Sequence, residues 1–455
     1  MKDLTQGPVI KLLLGMTAFM LVGMGVQTLY SLVDLYWVGS LGPQAVAAVT
    51  IASNLMFVSL AVSQMLGVGT GALIAQAVGA KDHARAHFVF NQAMSIALLI
   101  TVLFAALAWT AEGAYSRAFS ADAETTRLVA GYLHWFVPAM ALQFPMMAMS
   151  AALRGTGDLK PGTMVQVGTV VLNMVFAPIL IFGWLGAPKL GVAGAGLATL
   201  IAVVAGVVGL LFYFRRPQTY LKLRAAQWSS PQAGAWGQIL KIGLPSAMEF
   251  ALMGGYMIFI TVILRGYGAT EQAAFGIGQR LLQAAMLPVL ALSFASSALV
   301  GQNYGAKLGT RVRETYAATL KLGLISMLGL VVLAQLMPET LIRGFTEDAG
   351  VIAAGVRFLN IISFNLLAVS VAFACFGVLS GLGNTVPTLI STTTRFSFIV
   401  VTTLLLIHYD RFEVARLWWL SVAGTVVQML MNLAFLRREL RLKFGPAEAV
   451  AVPST

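Results

Sequence analysis

The chain has 455 residues, of which 58% are hydrophobic and 10% are charged, whereas an ordinary soluble domain is about 25% charged. Because one core cannot bury that much apolar surface in water, the composition excludes a soluble globular fold and predicts a membrane protein. The net charge of +12 has to be explained by membrane topology or by a nucleic-acid partner. The single cysteine, Cys375, excludes an internal disulfide framework.

Apolar runs of about 20 residues or more, the length that crosses a bilayer, recur twelve times along the chain. They predict an all-α integral membrane protein with twelve transmembrane helices in two pseudo-symmetric six-helix lobes. The polar Met1–Gly7 segment lacks a signal-cleavage pattern, so we expect the first helix to remain in the mature protein. The runs lie near 10–36, 46–76, 88–110, 128–153, 161–184 and 190–214, and then near 238–264, 272–300, 318–338, 355–380, 386–408 and 414–436.

A polar, basic stretch that contains Ser229, Ser230 and Pro231 interrupts the apolar pattern between the sixth and seventh spans. Its composition predicts a cytoplasmic linker that lies along the membrane surface. The predicted organisation is an N-terminal six-helix lobe at 1–215, a linker at 216–237, and a C-terminal six-helix lobe with a cytoplasmic tail at 238–455.

The basic residues are unevenly divided between the two ends of the predicted spans. With a cytoplasmic N-terminus, about 19 Lys and Arg fall on the cytoplasmic side and about 8 on the outer side. This asymmetry favours both termini in the cytoplasm, in a multi-pass protein of the bacterial inner membrane. Most of the net charge therefore indicates topology and contact with anionic membrane lipids, and we expect no nucleic-acid partner.

Self-comparison reveals an internal repeat at an offset of 226 residues, because Ala75–Lys81 aligns with Gly301–Lys307 and Leu153–Gly157 aligns with Leu379–Gly383. Two separate windows agree on one offset, which is hard to obtain by chance. A repeat of six spans, an even number, gives two copies of the same orientation. Such parallel repeats predict a substrate path between two lobes.

Five short motifs resemble the multidrug and toxic compound extrusion (MATE) family of cation-coupled antiporters. Their order and spacing, from about residue 5 to residue 436, are more specific than any one of them. The resemblance implies a two-lobed, twelve-helix exporter of drugs. The motifs are Asp34-Leu-Tyr-Trp-Val-Gly39, Gln76-Ala-Val-Gly-Ala-Lys81, Leu153-Arg-Gly-Thr-Gly-Asp158, Gly243-Leu-Pro245 and Leu299-Val-Gly-Gln-Asn303.

Four formal charges fall inside predicted spans, namely Asp34, Glu249, Arg280 and Arg395. Charged residues are expensive in hydrocarbon, so each is a functional candidate. Asp34 lies near the outer end of the first span, whose outer half carries no basic residue. It suits proton binding and release, or pairing with a cationic substrate. The family resemblance implies that an aspartate at this position serves cation coupling.

The fifth span contains Asn173-Met-Val-Phe-Ala-Pro178, which resembles the Asn-x-x-x-Asp-Pro pattern of the family. Asn173 is kept, but Ala177 stands where many relatives have a second aspartate. The two positions are one helical turn apart, so an ion held there loses a hard oxygen ligand. The sequence therefore favours H+ over Na+ as the coupling ion and leaves Na+ possible.

The remaining membrane charges have less certain roles. Glu249 follows Pro245 by four residues, and either a coupling role or a structural hydrogen-bonding role is open for it. A direct salt bridge between Glu249 and Arg280 is not expected, because the two residues differ in depth by roughly 13 Å in straight helices. Arg395 either binds backbone carbonyls or lines the cavity between the lobes. The cation-coupling candidates are Asp34, Asn173 and Glu249, and the substrate-cavity candidates are Asp34, Tyr36, Asn173, Glu249, Arg280 and Arg395.

The sequence predicts neither catalytic residues nor a metal site. His83 and His87 lie four residues apart in a charged loop without a third ligand, and a nucleotide-binding Walker loop is absent. The leading hypothesis is a cofactor-free antiporter that exports small amphipathic, often cationic compounds in exchange for H+ or Na+. The alternatives are a lipid-linked oligosaccharide flippase of similar architecture and a membrane-embedded enzyme.

Overall fold

The computed structural model describes residues 3–223, 230–409 and 412–445, apart from the side chains of 30–32, 34 and 35. These ranges form helices joined by short connections and one 3-10 turn at Trp184–Gly186. The helices are α1 Val9–Gly39, α2 Pro43–Gly79, α3 His83–Phe119, α4 Ala123–Gly155, α5 Leu159–Phe182, α6 Val192–Arg215, α7 Ala233–Arg265, α8 Ala269–Gly305, α9 Gly309–Leu336, α10 Pro338–Arg343, α11 Ala349–Ile362, α12 Asn365–Gly381, α13 Val386–His408 and α14 Val414–Phe444.

Eleven of the described helices are long and apolar enough to cross a membrane. The pair α11 and α12 passes the same test together, as a span bent by 48°, and makes twelve. The predicted all-α, twelve-span fold is confirmed. Several helices, among them α2, α3 and α8, extend beyond the predicted runs, whereas α13 has the predicted bounds. The predicted linker lies partly outside the described residues, and α7 begins at Ala233, inside its predicted bounds.

Contacts divide the chain into two compact units. Unit 1 consists of Met1–Gln6 and Ala18–Ala251, and unit 2 of Gly7–Thr17 and Leu252–Thr455. Two helices therefore change unit along their length, namely α1 after Thr17 and α7 after Ala251. Helix α4 packs against α2, α3 and α6 in unit 1, and α12 packs against α8, α9 and α14 in unit 2.

The backbone repeats at the same offset of 226 residues that the sequence shows. Lys81 and Lys307 both adopt a left-handed conformation, with φ of 58° and 60°, and Gly157 and Gly383 do so with φ of 73° and 80°. Each residue follows the end of a helix, where a left-handed residue lets the next amide hydrogens cap the last carbonyls. The corresponding bonds include Asp82 N to Ala77 O at 3.0 Å and Leu308 N to Asn303 O at 2.8 Å.

The two halves differ in their fourth spans. Helix α4 continues through Pro138 and Pro145, whereas its counterpart, predicted as one helix, breaks between α11 and α12 without a proline. The Gln335 side chain bridges the break, because its amide donates to the Asn360 carbonyl at 2.9 Å and to the Ser363 hydroxyl at 2.8 Å. A polar side chain that satisfies freed backbone groups makes such a break tolerable in a membrane.

The first turns of α7 pack closely on α2 within unit 1. A Cβ atom at Gly243 would collide with the backbone carbonyl of Met65, and one at Gly69 would collide with the carbonyl of Ile239. Glycines at both positions permit the two backbones to touch, a common device where membrane helices cross.

Candidate functional site

The predicted site residues are divided between the two units. Unit 1 holds Asp34, Tyr36, Asn173 and Glu249, and unit 2 holds Arg280 and Arg395. Each unit has its own group of polar side chains within membrane spans, and the two groups differ in chemistry.

In unit 1, Asn173 of α5 is joined to Thr199 of α6. The Asn173 side chain is 3% exposed, and its Nδ2 donates to the Thr199 hydroxyl oxygen at 3.0 Å. The Thr199 hydroxyl donates in turn to the Ala195 carbonyl at 3.1 Å. Because the amide nitrogen of Asn173 is engaged, its carbonyl oxygen is the atom that remains to accept a hydrogen bond or to bind a cation.

Position 177, one turn after Asn173, belongs to the apolar core of unit 1. Ala177 is 1% exposed and packs in a cluster with Tyr132, Phe136 and Ile181. The methyl group offers no ligand to an ion, and its surroundings are apolar. The geometry therefore leaves Asn173 and Thr199 as a neutral pair without an acidic partner on α5.

The C-terminal end of α1 packs against the end of α5. The Trp37 ring lies 5.9 Å from the Phe182 ring and 6.0 Å from the Trp184 ring, measured between centroids. Tyr36 is 70% exposed, so its ring is available to a ligand. Asp34 lies one helical turn before Trp37 in α1, and its side chain is outside the described residues.

Glu249 lies in the part of α7 that belongs to unit 1. Its side chain is half-buried, one turn after Pro245, and α7 continues unbroken through that proline. The neighbouring Ser246 is fully buried. The Glu249 side chain is therefore partly covered by neighbouring residues and partly accessible.

In unit 2, Arg395 of α13 lies about 14 Å along its helix, at roughly 1.5 Å per residue. Its Nη1 donates to the Gln428 side-chain oxygen at 3.1 Å. The Gln428 amide nitrogen donates to the Thr392 hydroxyl at 2.8 Å, which fixes the orientation of the amide. The Nε atom of Arg395 is buried and lacks a hydrogen-bond acceptor among the described residues.

Aromatic rings flank this arginine. The Arg395 guanidinium carbon lies 6.0 Å from the centroid of Tyr256 and 5.3 Å from that of Phe396. The two rings stack at 4.6 Å with an interplanar angle of 18°. The Tyr256 hydroxyl donates to the Ser421 hydroxyl at 3.3 Å. The result is a cationic group beside a flat apolar wall.

Arg280 is exposed on α8, and none of the contacts recorded for the described residues joins it to Arg395. The same ranges hold no group of three or more His, Cys, Asp or Glu residues that could bind a metal ion. The hydrogen bonds described above join Asn173 to Thr199 within unit 1 and Arg395 to Gln428 within unit 2.

A family profile described as MatE matches residues 20–179 and again residues 245–405. The chain belongs to the MATE family. The double match reproduces the internal repeat, and the resemblance found in the sequence is confirmed. MATE members are transporters, so the chain is a multi-span transporter and the alternative of a membrane-embedded enzyme is dropped.

Individual MATE relatives agree with this assignment. The chain is 25% identical, over 89% of its length and 88% of the relative, to a probable multidrug resistance protein of Bacillus subtilis. It is 25% identical, over 83% of each chain, to a multidrug export protein of Staphylococcus aureus. An outward-facing MATE transporter structure superposes with a TM-score of 0.89 at 24% identity, covering 97% of this chain and 98% of that one.

The charged candidates are visible in the sequence, but several of their partners are not. Thr199, Gln428 and Tyr256 are neutral, and a neutral polar residue in an apolar run most often bonds its own helix. Thr199 does so with Ala195 in addition to binding Asn173. Gln428 could have been singled out in the sequence, because it is a large polar residue within an apolar run and the preceding span carries an arginine.

Proposed function

We propose that this MATE transporter is an antiporter that exports small amphipathic, often cationic compounds in exchange for protons by alternating access. The observation that carries the choice of ion is the arrangement on α5 and α6. Asn173 and Thr199 form a neutral pair, and Ala177 fills the next turn with a buried methyl group. A proton needs one carboxylate, whereas a hard cation needs several oxygen ligands.

Asp34 is the proposed proton carrier. It is the acidic residue of the outer half of α1, a helix whose neighbouring turn packs on the end of α5 through Trp37 and Phe182. A carboxylate in a membrane span is costly when charged, so its proton occupancy is coupled to access to water. Glu249 is the second candidate, because it is half-buried in α7, and Asn173 is proposed to assist through its carbonyl oxygen.

Coupling requires that the proton and the drug favour different conformations of the transporter. A ligand shifts a conformational equilibrium only by the difference between its affinities for the two states. If protonated Asp34 favours one state and the drug favours the other, inward proton movement promotes outward drug movement. The names of the relatives, which describe multidrug export and resistance, favour this cargo over a lipid-linked oligosaccharide.

We further propose that both termini lie in the cytoplasm of a bacterial cell, because the basic residues are concentrated on that side of the spans. These residues would contact the anionic lipids of the inner leaflet. The proposed ligands are thus an amphipathic compound, the coupling cation and membrane lipids.

Efflux from sealed proteoliposomes tests the proposal. We expect an imposed pH gradient to drive movement of a lipophilic cationic dye and an imposed sodium gradient at constant pH to drive little. Asp34→Asn should abolish the pH-driven component, because the amide cannot bind and release a proton. Glu249→Gln, measured in parallel, shows whether the second carboxylate contributes.

Equal reconstitution of each variant, checked by its monodisperse elution in detergent, separates lost coupling from lost folding. Undiminished pH-driven transport by Asp34→Asn contradicts the role of Asp34. Transport driven by sodium as strongly as by protons contradicts the choice of ion. Transport that no ion gradient drives contradicts antiport itself.

A further inference from the structure

Arg395 is a cation within a membrane span that has no acidic partner in the described part of the chain. The ion pairs recorded there join other residues, and the neighbours of Arg395 are an amide, a hydroxyl and two aromatic rings. A charge at this depth is costly unless it is compensated. A bound ligand of opposite charge is one common way in which such a residue is compensated.

The hydrogen-bonding capacity of the Arg395 guanidinium is only partly used by the described residues. Gln428 occupies Nη1, while the buried Nε lacks an acceptor in the described ranges. Nε and Nη2 form the side-on edge of a guanidinium, which matches the two oxygens of a carboxylate. A buried donor without an acceptor is unfavourable, so a carboxylate that reaches this edge would stabilise the arginine by accepting its hydrogen bonds.

The repeat shows that the fold itself does not require this arginine. At the offset of 226 residues, Arg395 corresponds to Thr169, which bonds its own helix at the Gln166 carbonyl. Unit 1 therefore builds the same pair of spans without the charge. The Arg395–Gln428 pair is an addition to unit 2 that the shared scaffold does not explain.

The surroundings of Arg395 also fit the rest of an amphipathic molecule. The stacked rings of Tyr256 and Phe396 form a flat apolar wall next to the guanidinium, and Tyr256 is half-buried. An aromatic scaffold can pack on such a wall while its carboxylate meets the arginine.

We propose that Arg395, oriented by Gln428 and flanked by Tyr256, binds the carboxylate of amphipathic substrates and so extends the cargo to zwitterionic and anionic compounds. The proposal rests on the proposed export function and adds to it a recognition group in unit 2. Arg395 touches the substrate, and Gln428 is a positioning residue that acts through it.

A matched pair of dyes tests this assignment, namely a rhodamine methyl ester, which is a lipophilic cation, and the corresponding free acid, which is a zwitterion. Dye binding is measured by fluorescence anisotropy in detergent, and dye transport in the proteoliposomes described above. We expect Arg395→Gln to weaken binding and transport of the acid by about tenfold or more, because the two charge-assisted hydrogen bonds between guanidinium and carboxylate are lost. The ester should change by less than about twofold, which is the scatter expected where no contact is lost.

Two further variants control for charge and folding. Arg395→Lys keeps the positive charge but cannot form the paired hydrogen bonds of a guanidinium, so it should recover only part of the acid binding. Arg343→Gln removes one positive charge from an exposed ion pair with Glu339 in the same unit and should leave both dyes unaffected. Retained ester binding shows that Arg395→Gln is folded.

The outcomes separate the two proposals. If wild-type protein moves neither dye under any ion gradient, the export function fails. If it moves the ester but neither binds nor moves the acid, export stands and the carboxylate site is refuted. The site is refuted as well if Arg395→Gln treats both dyes like the wild type, or loses both equally.

Discussion

The contact between α7 and α2 in unit 1 leads to a quantitative prediction for Gly243→Ala. An added Cβ atom would lie 2.7 Å from the Met65 carbonyl carbon and 3.1 Å from its Cα, and closer still to its oxygen, whereas ordinary contact begins at 3.4 Å. All three atoms are backbone, so no side chain can rotate away, and the helices must separate. Overpacking of this kind costs about 1–3 kcal/mol.

The matched control is Gly254→Ala in the same helix. A Cβ at Gly254 has no heavy atom within 4 Å, and alanine gains about 0.5–1 kcal/mol over glycine in a helix. Both positions lie within α7, so both variants share this gain. We therefore expect Gly243→Ala to be less stable than Gly254→Ala by the overpacking cost alone, about 1–3 kcal/mol.

Thermal unfolding of the purified variants in one detergent, followed by the loss of monodisperse protein on size exclusion, measures this difference. Gly69→Ala, on the facing helix, should resemble Gly243→Ala because its Cβ would meet the Ile239 carbonyl. A midpoint for Gly243→Ala equal to or above that of Gly254→Ala would refute the close backbone contact.

Two other predictions concern ion chemistry and pH. Ala177→Asp supplies a carboxylate one turn from Asn173, so we expect a sodium gradient to drive more dye transport than in the wild type. The variant should also be less stable, because Ala177 is buried among apolar side chains. An unchanged response to sodium would contradict the argument that Na+ binding lacks a carboxylate ligand at position 177. Asp122 caps α4 by accepting hydrogen bonds from the Thr125 amide and hydroxyl, and the amide bond, followed by the hydroxyl bond, lowers the pKa of its carboxyl group. The folded protein thus binds this proton less readily than the unfolded chain, so the stabilisation is present above the unfolded pKa of about 3.9 and is lost as the pH falls through the folded value. Asp122→Asn, which keeps a capping side chain, should show a weaker fall of thermal midpoint in acid than the wild type, and parallel curves would contradict this cause.

The span count and the repeat could be predicted from sequence because both depend on long-range regularities. A run of about 20 apolar residues is stable in a bilayer as a membrane-spanning helix. A repeat at a fixed offset reproduces the turns at the helix ends as well, as the left-handed conformations of Lys81 and Lys307 show. The break between α11 and α12 could not be predicted, because no proline marks it and the Gln335 side chain that bonds Asn360 and Ser363 comes from another helix.

The candidate sites divide in the same way. Asp34, Glu249 and Arg395 are conspicuous because a charge within an apolar run is expensive wherever it lies. Their partners depend on the packing of helices, so the sequence could neither pair Asn173 with Thr199 nor place Gln428 beside Arg395. The absence of an aspartate at position 177 could be recognised only against the family pattern, and its apolar surroundings only in the structure.

The repeat also indicates where this transporter has specialised. Turns and caps recur at one offset, as Asp122 and Asp348 each accept the amide of the residue three positions later. Two of the candidate residues do not recur, since Asn173 corresponds to Ile399 and Arg395 to Thr169. A duplicated scaffold keeps what both copies need to fold, whereas ligand chemistry is free to differ between them. We therefore propose that the two sets of residues have separate tasks, with ion coupling in unit 1 and recognition of the cargo carboxylate by Arg395 in unit 2.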